Sequence, residues 1–158
     1  MAWDSEYASY SIAIGNYGVR ERIANSIPAD VAQPFSIFAP THVALQGNRI
    51  GEGAIFCNFS HITSNATIGR FFHGNIYSYV AHDCVIGDFV TFAPGVMCNG
   101  HVVIEDHAYI GTGVVIKDGT DKPIVIGRGA VVGMGAIVTK SVPPGTTVIG
   151  NPAKPLWH

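Results

Sequence analysis

From residue 38 onward, apolar or small residues return every six positions. They fall at Phe38, Ala44, Ile50, Phe56, Ile62, Ile68, Gly74, Val80, Ile86, Phe92, Cys98, Ile104, Ile110 and Ile116, fourteen positions without a slip. The phase then jumps by four residues and resumes at Ile126, Val132, Val138 and Pro144. Four places after most of these stands another small or branched residue, among them Ala54, Ala66, Cys84, Val90, Val96, Ala108 and Val114. A period this short, kept this long, predicts stacked repeats and decides the architecture. Six residues make one short strand plus a turn, and three units close a triangular coil. The eighteen units therefore predict six coils, a prism on the order of 29 Å tall at about 4.8 Å per stacked strand. Inward positions stack into one apolar column, which is the core. Glycine follows the column residue at Gly51, Gly69, Gly87, Gly111, Gly127, Gly133 and Gly145, where it is expected to relieve crowding at the corner.

The hexad pattern resembles the left-handed parallel β-helix, an exception to the right-handed rule for parallel crossovers. The fold class expected is all-β, a left-handed parallel β-helix of about six coils preceded by a small α/β fragment. Residues 1–37 do not keep the repeat. Tyr10–Gly15 reads as a short strand, and Val19, Ile23 and Ile27 have helical spacing. Gln33–Phe38 reads as a second strand. This strand–helix–strand piece is too small to own a core. The expected organisation is a partial α/β fragment over 1–37 and the β-helix over 38–158. Gly15-Asn16-Tyr17-Gly18 reads as the strand-to-helix turn, since a lone Gly-x-x-Gly is weak evidence for a phosphate loop. The four extra residues within Lys117–Pro123 predict an outward loop, either a neutral bulge or one wall of a ligand cleft.

Composition narrows the function classes. Of 158 residues, 47% are hydrophobic and only 13% charged, with nineteen glycines, which points to packed β structure with many turns. The net charge of −2 and the lack of a basic run argue against nucleic acid as a partner. Three cysteines make no complete disulfide set, and Cys84 and Cys98 fall on inward positions as small hydrophobes. A cytoplasmic location is the expectation, with no signal peptide and no membrane span.

The chemistry gathers at Val80-Ala81-His82-Asp83-Cys84-Val85-Ile86-Gly87-Asp88. His82 is the third residue of its unit, at a corner and facing out. One coil is eighteen residues, so Ser64 and Gly100 flank it on the same edge. An imidazole beside a glycine N–H offers a base and an oxyanion donor, the pairing that acyl transfer requires. Histidine suits the base because its ordinary pKa lies near neutrality. Asp83 would orient the imidazole and stabilise its protonated form. Neighbouring strand residues point opposite ways, so Asp83 reaches His82 only if the corner turns the chain, or through another subunit. On spacing alone, a bystander surface histidine remains an open reading.

Asn75, His82-Asp83-Cys84-Val85-Ile86-Gly87-Asp88-Phe89, Pro94-Gly95, Gly100, Ile110-Gly111-Thr112-Gly113 and Gly150-Asn151-Pro152-Ala153-Lys154 together resemble one family. It is the bacterial sugar acetyltransferases of the bacillosamine, perosamine and sialic-acid pathways, within the hexapeptide-repeat acyltransferases. The resemblance covers roughly the last three quarters of the chain. It implies acetyl-CoA as co-substrate, no required metal, and a homotrimer with active sites between neighbouring prisms. It also implies a nucleotide-linked amino sugar as acceptor, in surface glycan synthesis. Carried over by position, His82 is the general base, Asp83 raises its basicity and Gly100 supplies the N–H for the thioester oxygen. Asn75 helps hold the acceptor sugar. Thr112 and Met134 meet the pantetheine arm, and Asn151, Pro152 and Lys154 lie near the adenine end. Thr91 stands where some relatives carry a second histidine on the cofactor. His73, one coil away, is expected to be a plain exposed residue. Family members begin with a full nucleotide-gripping α/β domain, of which Tyr10–Phe38 resembles only the closing strand, helix and strand.

Three rivals compete with this reading. His42, His61, His101, His107 and His158 raise a zinc-dependent carbonic anhydrase on the same fold, but that needs imidazoles on facing edges at matching heights. His101 instead falls one coil from Asp83, within reach of a hydrogen bond. The other two are a truncated paralogue that has lost catalysis and an acetyltransferase for a smaller amine or hydroxyl, such as a free sugar.

Overall fold

A computed structural model describes residues 8–156, so His158 lies outside the described residues. The six-residue rungs form three parallel faces. The first carries Ile37–Phe38, Ile55–Phe56, His73–Gly74, Thr91–Phe92, Tyr109–Ile110, Val131–Val132 and Thr147–Ile149. The second carries Val43–Ala44, His61–Ile62, Tyr79–Val80, Met97–Cys98, Val115–Ile116 and Ile137–Val138. The third carries Arg49–Ile50, Thr67–Ile68, Val85–Ile86, Val102–Ile104 and Ile124–Ile126. Register follows the eighteen-residue coil, as in Val80 opposite Cys98 and Phe92 opposite Ile110. The insertion stretches one coil, setting Ile104 opposite Ile126. Six turns of parallel β-helix result, as the hexad spacing predicts.

The column is dry. Phe56, Ile62, Ile86, Phe92, Cys98, Ile110, Ile116 and Val132 are all buried. Gly74 leaves a gap that Phe72 fills by turning inward, its ring 5.4 Å from Phe56 and 5.1 Å from Phe92. A Cβ on Gly74 would come within 3.0 Å of that ring. At the first coil the column is open, and Phe38 remains 48% exposed.

Two features of the repeat differ from expectation. Pro144 is not a column residue. Val142 bridges to Ile126 and Val148 pairs with Val132, so the final coil is two residues short and the phase slips after Val138. The second concerns glycine. Those directly after column residues do permit close stacking, since a Cβ on Gly69 would sit 2.5 Å from the Gly87 carbonyl carbon. The corner itself lies two residues further on. Phe59, Asn65, Phe71, Tyr77, Asp83, Phe89, His101 and His107 all have φ between 52° and 64° there. Left-handed backbone costs a non-glycine residue about 1–2 kcal/mol. The ladder offsets this, because each such corner donates its N–H to the preceding coil, as Asp83 does to Ser64 at 3.1 Å.

The N-terminal segment is docked on one corner. β1 (Ser9–Tyr10) pairs in parallel with β2 (Gln33–Pro34) around α1 (Tyr17–Ser26). Asn16 caps the helix by accepting from the Val19 N–H at 3.0 Å, so Gly15–Gly18 is a strand-to-helix turn. Ile12, Phe71 and Phe89 form a small separate core, with Tyr10, Ile23 and Ala24 against it. The segment thus borrows the Phe71–Phe89–His107 stack on the corner between the third and first faces. Arg20, fully buried, joins the two parts. It donates to the carbonyls of Ile14, Gly15, Phe71 and Phe89 and to the Thr91 hydroxyl.

His73 is also in this joint, contrary to the expected exposed position. It is buried, and its Nε2 lies 2.8 Å from the Ile12 carbonyl, to which it donates as a neutral ring. Burial, with the Arg20 charge beside it, pushes its pKa down to about 4. An unfolded histidine titrates near 6.5, so protons favour the unfolded chain between those values. The contribution is complete above pH about 6.5 and falls away as pH drops toward 4, by on the order of 3 kcal/mol. Urea unfolding across that window should show the loss, and His73→Gln, whose amide donates without titrating, should flatten it.

Candidate active site

The corner between the second and third faces carries the polar chemistry. Successive coils place Ser64-Asn65, His82-Asp83, Gly100-His101 and Asp118-Gly119 in vertical register, as His101 N–H to His82 carbonyl and Gly119 N–H to Gly100 carbonyl demonstrate. Asp83 has φ of 58°, so the chain turns between His82 and Asp83. That turn solves the opposite-pointing problem within one chain. His82 Nδ1 lies 2.9 Å from Asp83 Oδ2. The Nδ1–H donates to the carboxylate, which leaves Nε2 as the basic nitrogen. The hydrogen bond from His82, helped by the charge of His101, holds the Asp83 carboxyl below its usual range. An ionised carboxylate is what fixes that tautomer.

Gly100 lies under the imidazole. A Cβ there would meet His82 Cε1 at 2.5 Å and Nε2 at 2.8 Å, so only glycine leaves the ring its place. The Gly100 N–H has no hydrogen-bond acceptor among the described residues. Base and unpaired donor therefore stand together on one edge. The third neighbour is Asp118, whose Oδ2 would lie 2.7 Å from a Gly100 Cβ. His82, His101 and Asp118 each bring one possible ligand atom within 4.8 Å of the others. All three share one edge of one prism. His61 and His107 lie elsewhere, with His107 Nε2 3.1 Å from the Glu21 carboxylate.

The other expected residues occupy different places. Thr112 and Met134 are one coil apart on the corner between the first and second faces, with the Gly135 N–H on the Thr112 carbonyl at 2.8 Å. Met134 is 80% exposed there. Asn75 shares this corner, and its amide donates to the Phe92 carbonyl at 2.9 Å. Thr91 is buried, and its hydroxyl donates to the Gly15 carbonyl while accepting from Arg20. That side chain is committed to the Arg20 joint. Asn151-Pro152-Ala153 closes over the last strand of the second face, the Ala153 N–H on the Ile137 carbonyl at 2.8 Å. Lys154 follows in an exposed antiparallel strand.

Sequence reasoning missed Asp118 and Thr120. Asp118 is eighteen residues beyond Gly100, so coil arithmetic reaches it, but the inserted loop obscured the phase. Thr120 donates to Asp118 Oδ1 from both its N–H, at 2.7 Å, and its hydroxyl. Those bonds hold the Asp118 carboxyl low.

Known proteins share this architecture. The GDP-perosamine N-acetyltransferase of Escherichia coli O157:H7 is 56% identical over 146 residues, covering 92% of this chain and 66% of that protein. WeeI from Acinetobacter baumannii superposes with a TM-score of 0.94 at 57% identity, covering 98% of this chain and 74% of that one. PerB from Caulobacter crescentus, solved with CoA and GDP-perosamine, gives 0.90 at 25% identity, covering 95% and 70%. No family model matches the chain. A β-helix of hexapeptide rungs with an outward His–Asp pair is the scaffold of an acyltransferase. The chain belongs to the bacterial sugar acetyltransferases, within the hexapeptide-repeat acyltransferases. It spans just under two thirds of the E. coli relative's length.

Proposed function

We propose that this protein transfers acetyl from acetyl-CoA to the amine of a nucleotide-linked amino sugar, and that the sugar is GDP-linked. The carrying observation is the His82 ring, tied to Asp83 through Nδ1 and packed against Gly100, whose N–H has no acceptor among the described residues. The neutral amine attacks the thioester carbon while His82 Nε2 takes its proton. The carbonyl oxygen becomes an oxyanion that the Gly100 N–H stabilises. Collapse breaks the carbon–sulfur bond, and the proton on His82 passes to the departing sulfur, releasing coenzyme A as thiol. Asp83 holds the imidazolium throughout.

The acceptor class follows from the relatives, one named for GDP-perosamine and another solved with it. Such a reaction belongs to surface glycan synthesis in the cytoplasm. No helix among the described residues is long and apolar enough to cross a membrane. The reading includes a homotrimer. Thr112 and Met134 line one corner and His82 with Gly100 another, separated by the second face. A cofactor that touches both sets is held between two prisms, one corner from each. Asn75 would then reach the sugar from the same neighbour. The reading divides the chain into a strand–helix–strand α/β fragment over 1–37 and the acyltransferase domain over 38–158.

The test is thiol release from acetyl-CoA with UDP-, GDP- and dTDP-linked 4-amino sugars, CMP-sialic acid and the free sugars. Turnover with a GDP-linked amine is expected. Turnover with a free sugar alone would reassign the acceptor, and silence with acetyl-CoA still bound would overturn the enzymatic reading.

A further inference from the structure

The loop after Ile116 breaks the hexad at the coil next to the candidate oxyanion donor, and its residues make unusual contacts. At the corner between the third and first faces, two third residues of a unit cap the N–H one coil before them. Asp88 Oδ1 accepts from the Arg70 N–H at 2.8 Å, and Asp106 Oδ1 accepts from the Asp88 N–H at 2.9 Å. Asp118 holds the same place relative to Gly100, and the same cap would consume the Gly100 N–H. It does not form. The backbone and hydroxyl of Thr120 occupy Asp118 Oδ1 instead. Asp118 Oδ2 faces His101 Nδ1 at 4.0 Å, and the Thr120 hydroxyl oxygen is 3.3 Å from the same nitrogen. The other nitrogen of His101, Nε2, faces Asp83 Oδ2 at 3.7 Å. That oxygen is the one bound to His82. The His101 ring stands edge-on to His82, their centroids 5.1 Å apart.

We propose that the insertion is a positioning element for the transfer reaction: Thr120 turns Asp118 away from the Gly100 N–H and toward His101, and His101 steadies Asp83 against His82. The inference rests on the acetyltransferase reading. His101 and Asp118 take no part in bond making. Their effect passes through Asp83 to the orientation and tautomer of His82, and through the vacated cap to the donor beneath it. Acid and imidazole alternate along the edge (Asp118, His101, Asp83, His82), with the two His101 nitrogens facing Asp118 and Asp83 and His82 bonded to Asp83 through Nδ1. This explains why a loop of polar residues interrupts an otherwise unbroken repeat at this height.

Two routes test it. In kinetics, His101→Ala is expected to lower kcat roughly tenfold with KM for acetyl-CoA unchanged, the scale of losing a residue that orients a reactive group. In an Asp83→Ala background the same change should cost nothing further, since its path is already cut. Equal losses in both backgrounds would overturn the proposal. Thr120→Val should also lower kcat, because Asp118 becomes free to cap Gly100, and Thr120→Val with Asp118→Ala should recover part of the loss. Failure of that recovery counts against the vacated cap. The second route needs no turnover. Imidazole 15N spectra of the whole protein should show His82 with its proton on Nδ1, and a mixture of tautomers in His101→Ala. An unchanged His82 spectrum would overturn the proposal even if the acceptor is never found. Loss of activity on chelation would show that His82, His101 and Asp118 hold a metal instead.

Discussion

Replacing His82 with alanine is expected to lower kcat by roughly 10²–10⁴-fold, the usual worth of a positioned base, while acetyl-CoA affinity changes little. The geometry gives the reason for both halves. The ring touches the Gly100 backbone and Asp83, whereas the residues expected along the cofactor, Thr112 and Met134, lie on another corner. His101 is no substitute, because its ring is edge-on to His82 and its nitrogens face Asp83 and Asp118. Gly100→Ala is expected to cause a loss of similar size without touching the imidazole's chemistry. Its Cβ would fall 2.5 Å from His82 Cε1 and 2.7 Å from Asp118 Oδ2, so the base must move off the donor. Steady-state kinetics beside equilibrium acetyl-CoA binding checks both variants. Unimpaired turnover in His82→Ala would remove that residue from the mechanism.

Much of this was legible in the sequence because the hexad is a length rule. A fixed period places Gly100 next to His82 and Met134 next to Thr112, once the four extra residues are subtracted. It also foretells the column, since an inward position must be apolar wherever it stacks. What the period did not disclose was conformation at the corner. Asp83 looks unable to reach His82 by strand alternation, yet its left-handed backbone brings the carboxylate around to 2.9 Å. Aspartate, asparagine and histidine at that corner position carry the signal, since their polar side chains tolerate such backbone better than most. Phe71 and Phe89 give no such hint. Their rings earn the strained backbone by stacking under the N-terminal segment. Pro144 misled for a related reason. A short final coil keeps Val142 and Val148 in the column, and apolar residues two apart cannot reveal which of them faces inward.

One buried cation organises His73 and Thr91, and it yields the second large prediction. Arg20 lies in a helix with a polar sequence, YGVRERIANS, where any arginine reads as solvated surface. Burial pushes its pKa down to about 10, so it stays charged at neutral pH. Among the described residues no carboxylate pairs with it. Carbonyl oxygens do so: Ile14 at 2.6 Å, Phe89 at 2.7 Å, Phe71 at 3.0 Å and Gly15 at 3.1 Å, with Thr91 Oγ1 at 3.0 Å. Arg20→Leu leaves the buried Phe71 and Phe89 carbonyls without that donor, at a cost of roughly 3–5 kcal/mol. Arg20→Lys should rescue little, because a compact ammonium cannot span acceptors that a planar fork of five donors reaches. The repeat beneath has its own column and does not depend on this joint. The expected result is therefore local: residues 8–36 become open to protease while the coils from the second onward stay resistant and unfold at nearly the same temperature. Acceptor binding should weaken as well, since Asn75 lies two residues beyond His73, whose ring is fixed by the Ile12 carbonyl of the docked segment. An Arg20→Leu protein with a protected N-terminal segment would show that the Ile12, Phe71 and Phe89 cluster holds the two parts together without the guanidinium.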